Sequence, residues 1–369
     1  MRTLLGEKTD RVPISLYEYD GFHDSWIRDY LEYVEILRYA EGKTDKMYFW
    51  APLGSKPEIF YGVLDEDSIQ EARWEDEKGS TYTRTIVKTP KGSVSATTRE
   101  NKGFHTAWTI EPLCKSKEDA EKVLSLPYNP WRPSVESFFT LDKRLGGSGI
   151  VLGDIPDALC LTVQLFGFAE FLKIYMKNKG IVMELMDFFH ERIFTYLRHL
   201  LEEGVVTLYR IFGPEYATPP FLNPREFDRL VTSYDADLVD LLHRYKAFAR
   251  IHSHGKVKSV LNSFRNMRID AIDPLEPPPD GDVELKEARR ILGNETTLLG
   301  NIEERLLEIG SRDDVERQVK KAMEEGASGG RFILCPTAMP LTTPLSRKIQ
   351  ENIIQYIDCG LKYGSLDAS

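Results

Sequence analysis

Two short segments, far apart in the chain, carry side chains that could bind a metal ion or move a proton. An apolar run at residues 248–251 leads into His252 and His254, and a second run at 331–334 leads into Cys335. If both runs are β-strands, His252 and His254 point to the same face, because side chains alternate along a strand. Two imidazoles and one thiolate that converge form a plausible zinc-binding set.

The same residues also fit ordinary structural roles. A His-x-His pair on a strand often only forms hydrogen bonds, and a cysteine often serves as a small buried apolar residue. No Cys-x-x-Cys spacing supports a metal site. We therefore predict His252, His254 and Cys335 as metal ligands, with Glu215 as a fourth ligand, and leave open whether a metal is bound.

Polar side chains beside glycine or proline follow nearly every predicted strand. We predict that Asp154, Glu276 and Tyr19 are catalytic and orient the substrate, and that Asn301 and Tyr216 bind it. Structural alternatives remain for these residues. Asp154 and Glu276 also fit as caps of the segments that follow them. Asn301 could brace its own loop instead of contacting a substrate.

The elements that must position these residues alternate between apolar runs and helical patterns. Strands are predicted at residues 12–16, 149–153, 205–211, 248–251, 270–272, 297–300 and 330–334. Helices are predicted to begin in the segment 116–119 and at Pro224, behind an Asn223 cap, and to cover 283–292 and 313–325, before Gly293 and Gly326. This alternation indicates about eight parallel βα units. A closed (β/α)₈ barrel is favoured over an open sheet, because no G-x-G-x-x-G follows the first strand.

One region interrupts the alternation. Runs rich in threonine and β-branched residues at 80–87 and 92–98 flank Pro90 and Gly92, which is typical of a β-hairpin. We predict an α/β protein, a single TIM-barrel domain over residues 1–369, with this hairpin inserted near the N-terminus at about 74–109.

The composition excludes several classes of protein. The 369 residues are 41% hydrophobic and 29% charged, which is ordinary for a globular protein, and the net charge of −10 argues against nucleic-acid binding. No apolar stretch reaches the roughly 20 residues of a transmembrane helix, and the first residues do not resemble a signal peptide. The four cysteines lack paired spacing. We expect a cytoplasmic protein that acts on a small molecule and binds neither membrane nor nucleic acid.

Several of these motifs resemble the uroporphyrinogen decarboxylase superfamily. The resemblance covers about residue 110 to the C-terminus and is most specific between 205 and 340. It lies in the sequences GPEY at 213–216, HSHG at 252–255, DAIDPLEP at 270–277 and LGNI at 299–302. The resemblance implies a (β/α)₈ barrel, in agreement with the pattern of elements, and makes a homodimer plausible.

The resemblance implies two activities. One branch of the superfamily decarboxylates uroporphyrinogen without a cofactor and grips the substrate carboxylates with an N-terminal arginine motif. Here the matching region carries Glu18 and Asp20 and has no arginine cluster. The like charges would oppose binding of such a polycarboxylate.

The other branch comprises zinc methyltransferases that hold the metal with a His-x-Cys pair and a later cysteine. His252 and Cys335 match this pattern, whereas His254 stands in place of the first cysteine. We therefore predict a zinc-dependent methyltransferase that moves a methyl group between a corrinoid carried by a partner protein and a thiol or other small acceptor. A cofactor-free decarboxylase of uroporphyrinogen or a related polycarboxylate, and a non-catalytic barrel that binds a corrinoid protein, are the alternatives.

Overall fold

The structure is a computed structural model that describes residues 1–19, 25–52, 58–102 and 107–365. Asp20 of the predicted N-terminal motif lies outside these residues. Within the described ranges the strands are β1 (Lys46–Trp50), β2 (Glu58–Ile59), β3 (Gly62–Val63), β4 (Ile69–Glu75), β5 (Thr81–Thr89), β6 (Gly92–Glu100), β7 (Ala107–Glu111), β8 (Gly149–Pro156), β9 (Leu208–Phe212), β10 (Phe248–Ser253), β11 (Ala271–Pro274), β12 (Thr297–Ile302) and β13 (Phe332–Pro336). The α-helices are α1 (Arg2–Leu5), α2 (Leu31–Ala40), α3 (Lys117–Leu124), α4 (Glu136–Leu145), α5 (Ala158–Phe166), α6 (Phe168–Lys177), α7 (Lys179–Glu202), α8 (Pro224–Phe227), α9 (Ser233–Arg244), α10 (Leu261–Asn266), α11 (Leu285–Leu292), α12 (Glu304–Ile309), α13 (Arg312–Gly326) and α14 (Arg347–Gly364).

The chain divides into two compact units, and the first contains a parallel barrel. This unit comprises residues 1–51, 136–155 and 206–369. Its seven-stranded sheet has the order β1-β8-β9-β10-β11-β12-β13. Ile14 lies between the two outer strands, since it bridges Leu334 of β13 in parallel and its carbonyl accepts the Asp45 amide at 2.7 Å, next to β1. The (β/α)₈ fold predicted from the sequence is therefore confirmed.

The order of the strands agrees with the predicted alternation, with two differences. The run predicted as a first strand at 12–16 contributes only the bridge at Ile14 to the barrel. The strand β1, at Lys46–Trp50, was not predicted, because its sequence KMYFW is short and begins with a charged residue. Gly153 permits close packing inside the barrel, since a side chain there would lie 2.4 Å from the Tyr209 ring.

Local sequence signals place the ends of several helices. The Ser116 hydroxyl accepts a hydrogen bond from the Asp119 amide at the start of α3, and Asn223 caps α8 in the same way. Helix α11 ends before Gly293, as predicted, because glycine adopts the positive φ of 82° found there. Helix α13 includes Gly326 and so runs one residue beyond its predicted end.

The second unit comprises residues 52–135 and 156–205 and contains the inserted sheet. Strands β5 and β6 form the predicted hairpin, with Thr89 opposite Gly92, and β4 and β7 extend it to four antiparallel strands. Among the described residues no single helix is long and apolar enough to cross a membrane. Helices α5 and α6 meet that test only as a pair that is bent by 101°. The single-domain boundary 1–369 stays a prediction.

Candidate active site

A buried arginine, an aspartate and a histidine form a chain of hydrogen bonds at the C-terminal end of the barrel. Arg250 and His252 lie two residues apart on β10 and point to the same side of the sheet. The guanidinium of Arg250 donates to both carboxylate oxygens of Asp273, at 2.5 and 2.6 Å. His252 donates through Nδ1 to the same carboxylate at 2.7 Å. These contacts fix the orientation of the imidazole.

A second imidazole, that of His254, lies beside the first. The two rings are perpendicular, with their centroids 4.7 Å apart. His254 donates through Nδ1 to Glu276 at 2.9 Å, and the other oxygen of Glu276 accepts the Gly255 amide at 2.6 Å. Among the described residues, neither histidine has a hydrogen-bond partner at Nε2. Each imidazole therefore has one nitrogen held by a carboxylate and the other available.

The two histidines differ in their protonation. Burial lowers the pKa of His252, and this effect exceeds the opposing charge of Asp273, which Arg250 also neutralises. Burial also acts against protonation of His254, but the hydrogen bond and charge of Glu276 outweigh it and raise the pKa. Burial favours protonation of Asp273 too, yet Arg250 and His252 hold its pKa well below the usual range. His252 is thus the neutral base of the pair.

A third acid–base pair lies on the neighbouring strands. Arg210 of β9 binds both oxygens of Asp154 on β8, at 2.6 and 3.0 Å, and donates to the Tyr17 hydroxyl at 2.9 Å. The guanidinium lies 4.2 Å from the centre of the Phe49 ring. The Tyr17 ring stacks on His252 with centroids 6.3 Å apart, so it connects the two arginine networks.

Three of the other predicted site residues, Tyr19, Asn301 and Glu215, form hydrogen bonds with backbone groups. The Tyr19 hydroxyl donates to the Pro340 carbonyl in the interior, and the Asn301 amide donates to the Leu275 carbonyl at 3.2 Å. Asn301 therefore braces the loop that follows β11, and its predicted contact with a substrate stays a prediction. Glu215 accepts the Gly213 amide at 3.2 Å, and Tyr216 is half-buried on the turn after β9.

The structure holds the predicted metal ligands in different ways. In zinc sites, a carboxylate commonly holds the second nitrogen of each ligating histidine, and His252 and His254 show this arrangement. Cys335 is buried, and this burial raises the pKa of its thiol to about 12. Across the described part of the chain, no group of three or more His, Cys, Asp or Glu side chains is placed to hold a metal ion. Both imidazoles are thus oriented by carboxylates, and zinc binding stays a prediction.

Sequence reasoning missed four residues of this centre: Arg210, Arg250, Asp273 and Tyr17. A usable signal was present, because Arg210 and Arg250 each interrupt an otherwise apolar strand. A charged residue in a buried strand requires a partner of opposite charge, since an isolated buried charge is strongly unfavourable. Asp273 lies two residues beyond Ala271, the residue opposite Arg250, and so points to the same face as Arg250.

Comparison with known proteins identifies the family. The family model of uroporphyrinogen decarboxylase (URO-D) matches residues 108–347, which include the whole centre except its N-terminal aromatic residues. The chain belongs to this family. The family is named after one activity, and the match alone does not assign that activity to this chain. No curated protein matches the sequence at a significant level.

Solved structures agree with the URO-D family fold. A methyltransferase from Methanosarcina mazei is similar over 98% of this chain and 97% of its own, with a TM-score of 0.60 and 14% identity. A D-psicose 3-epimerase with D-fructose matches 61% of this chain and 82% of its own, with a TM-score of 0.36 and 10% identity. At such identities the likeness to the methyltransferase shows a shared fold, and the likeness to the epimerase carries no argument.

Proposed function

We propose that this URO-D family protein is a methyltransferase that methylates a small acceptor with an acidic proton, such as a thiol. The observation that carries the proposal is the His252–His254 pair. Each imidazole is oriented by its own carboxylate, and each Nε2 lacks a protein partner among the described residues. A neutral imidazole held in this way is suited to accept a proton from a bound acceptor.

The proposed reaction is a single displacement in which His252 acts as the base. The Nε2 atom of His252 takes the proton of the acceptor thiol, and the sulfur forms a bond to the methyl carbon. The bond between that carbon and the methyl donor breaks, and the donor keeps the electron pair. The proton remains on the imidazole, whose Nδ1–H is stabilised by Asp273 at 2.7 Å.

The charges around the centre support a methyltransferase over a decarboxylase of polycarboxylates. Arg210 and Arg250 are already bound to Asp154 and Asp273. A substrate carboxylate would therefore have to displace a protein carboxylate from its arginine. Decarboxylation of uroporphyrinogen or a related polycarboxylate remains the alternative that the family name suggests.

Other parts of the prediction extend this proposal. Zinc, a corrinoid-carrying partner protein, a homodimer and a cytoplasmic location stay predictions, and no step above depends on them. The similarity in fold to the Methanosarcina mazei methyltransferase makes methyl transfer the first activity to assay. A barrel that only binds a corrinoid protein would give affinity for that protein without any product.

A methyl-transfer assay with matched variants tests the proposal. Purified protein is incubated with methylcobalamin and a panel of small thiols, and methylated thiol is measured by mass spectrometry. We expect product from the wild type and a loss of roughly a hundredfold or more in His252→Gln, because a general base typically contributes that much. The control is His243→Gln, since His243 also pairs with an acid, Asp270, at 2.9 Å, near the opposite ends of the strands.

Two results would contradict the proposal. One is the absence of product above the enzyme-free rate with every thiol, while the same preparation releases carbon dioxide from uroporphyrinogen. The other is a His252→Gln variant that transfers methyl groups at the wild-type rate.

A further inference from the structure

We propose that Arg250 is a positioning residue that determines, through Asp273, which ring nitrogen of His252 lacks a proton. The inference deepens the proposed function, because it rests on His252 Nε2 being the proton acceptor. A histidine with a proton on Nε2 could not act as that base. Arg250 does not need to contact the substrate to control this choice.

The guanidinium of Arg250 forms a fork against Asp273. The Arg250 side chain is completely buried, and its planar guanidinium binds both oxygens of Asp273. Two parallel hydrogen bonds hold the carboxylate in one plane, which a single point charge would not do. Asp273 therefore presents Oδ2 to His252 in a fixed direction.

Asp273 is ionised, because of the contacts that its carboxylate makes. Both of its oxygens accept hydrogen bonds from the guanidinium of Arg250, which is always charged and only donates. An ionised carboxylate only accepts hydrogen bonds. The 2.7 Å contact with His252 Nδ1 therefore requires a proton on Nδ1, and Nε2 of the neutral ring is left without one.

The His254–Glu276 pair can be compared with the His252–Asp273 pair in the same site. His254 is held by Glu276, whose second oxygen accepts the Gly255 backbone amide at 2.6 Å instead of binding an arginine. The Gly255 amide thus orients the Glu276 carboxylate, as Arg250 orients the Asp273 carboxylate. Substitution of Arg250 should change the tautomer of His252 and leave the tautomer of His254 unchanged, which provides an internal control.

The experiment is nuclear magnetic resonance of the full-length protein with isotope-labelled histidine nitrogens, at about pH 8.5, well above the ordinary histidine pKa. Nitrogen chemical shifts distinguish protonated from bare ring nitrogens, and His252→Gln and His254→Gln assign the two signals. We expect His252 in the wild type to carry its proton on Nδ1. In Asp273→Asn, the Arg250 fork holds the amide oxygen, so the amide NH₂ faces Nδ1 and the tautomer inverts.

The variant Arg250→Lys tests the arginine itself, because it keeps the charge and removes the fork. We expect a mixture of the two His252 tautomers, because a carboxylate held by one point charge can turn its Oδ2 away from Nδ1. The His254 signal should stay unchanged. A wild-type His252 protonated on Nε2, or an Arg250→Lys variant with the wild-type tautomer population, would overturn the inference. If Asp273→Asn does not fold, the wild type and Arg250→Lys still decide.

The tautomer is read without any methyl transfer, so the two proposals fail separately. A Nδ1-protonated His252 in a protein that methylates nothing removes the proposed function and leaves the assignment of Arg250 intact. Methyl transfer by a protein whose His252 is protonated on Nε2 would remove the assignment of Arg250 and the role of His252 as the base, and would leave the methyltransferase activity.

Discussion

Substitution of Asp273 is expected to destabilise the protein strongly, because it leaves a buried guanidinium without a counter-charge. Arg250 is 0% exposed and Asp273 is 2% exposed. Loss of one partner of such a buried ion pair typically costs about 3–5 kcal/mol. We expect Asp273→Asn to lower the free energy of unfolding by an amount in this range, because the neutral amide can still accept one hydrogen bond but carries no charge.

The magnitude can be compared with a matched pair in the same barrel. Arg210 and Asp154 have the same bidentate geometry, but their side chains are 17% and 22% exposed. Partial hydration of the remaining charge reduces the penalty, so we expect Asp154→Asn to lower the unfolding free energy by about 1–2 kcal/mol. The difference between the two aspartates combines the effect of burial with the His252 contact that only Asp273 makes.

The assay is urea unfolding followed by circular dichroism, extended to a double-mutant cycle. Arg250→Met and Asp273→Asn should each be costly alone. The loss of unfolding free energy in the double variant should be smaller than the sum of the two single losses by about 1–3 kcal/mol, because the double variant contains no unpaired buried charge. A loss below about 1 kcal/mol in Asp273→Asn, or strict additivity in the cycle, would refute a buried and mutually dependent pair.

Three further predictions concern other titratable groups. Asp235 on α9 is buried, burial raises its pKa well above normal, and neither oxygen has a hydrogen-bond partner among the described residues. Its raised pKa means that stability is lost as the pH rises, by up to about 1.4 kcal/mol per pH unit while the buried carboxyl stays protonated. Asp235→Asn should therefore raise the unfolding free energy by about 1–3 kcal/mol near pH 7 and by less near pH 4. The control Asp237→Asn, at an exposed position of the same helix, should change the unfolding free energy by under about 0.5 kcal/mol. A gain in Asp235→Asn that does not depend on pH would contradict the raised pKa of Asp235. Burial, with the charges of Glu308 and Glu18, raises the pKa of Glu304 to about 7. The unfolding free energy of the wild type should therefore fall by about 1–2 kcal/mol between about pH 4.5 and 7, after allowance for the partial exposure of Glu304. An equal fall in Glu304→Gln would exclude this carboxyl as the cause. If zinc binds through the predicted set, protein purified without chelators should contain about one equivalent and lose most of it in Cys335→Ala; under about a tenth of an equivalent in the wild type, unchanged in that variant, would exclude the set.

Much of the fold follows from local patterns in the sequence. The strands β8 to β13 appear where short apolar runs stand between helical segments, and the ends of α3, α8 and α11 follow their capping residues. The inserted hairpin follows its turn residues in the same way. The places where these patterns failed, Ile14 and β1, are short segments, in which few residues carry the signal.

The sequence alone determined that His252, His254 and Glu276 follow strands of one barrel and so lie at the same end of it. Only the tertiary structure decided which charges meet, because the partners of Arg250 and His252 depend on the register between β10 and β11. Hydrophobic periodicity reports which side of a strand is buried, but not which residue of a strand some twenty positions away lies opposite. Burial likewise raises the pKa of the Cys335 thiol, because the packed core surrounds it, and a local sequence pattern does not report that packing.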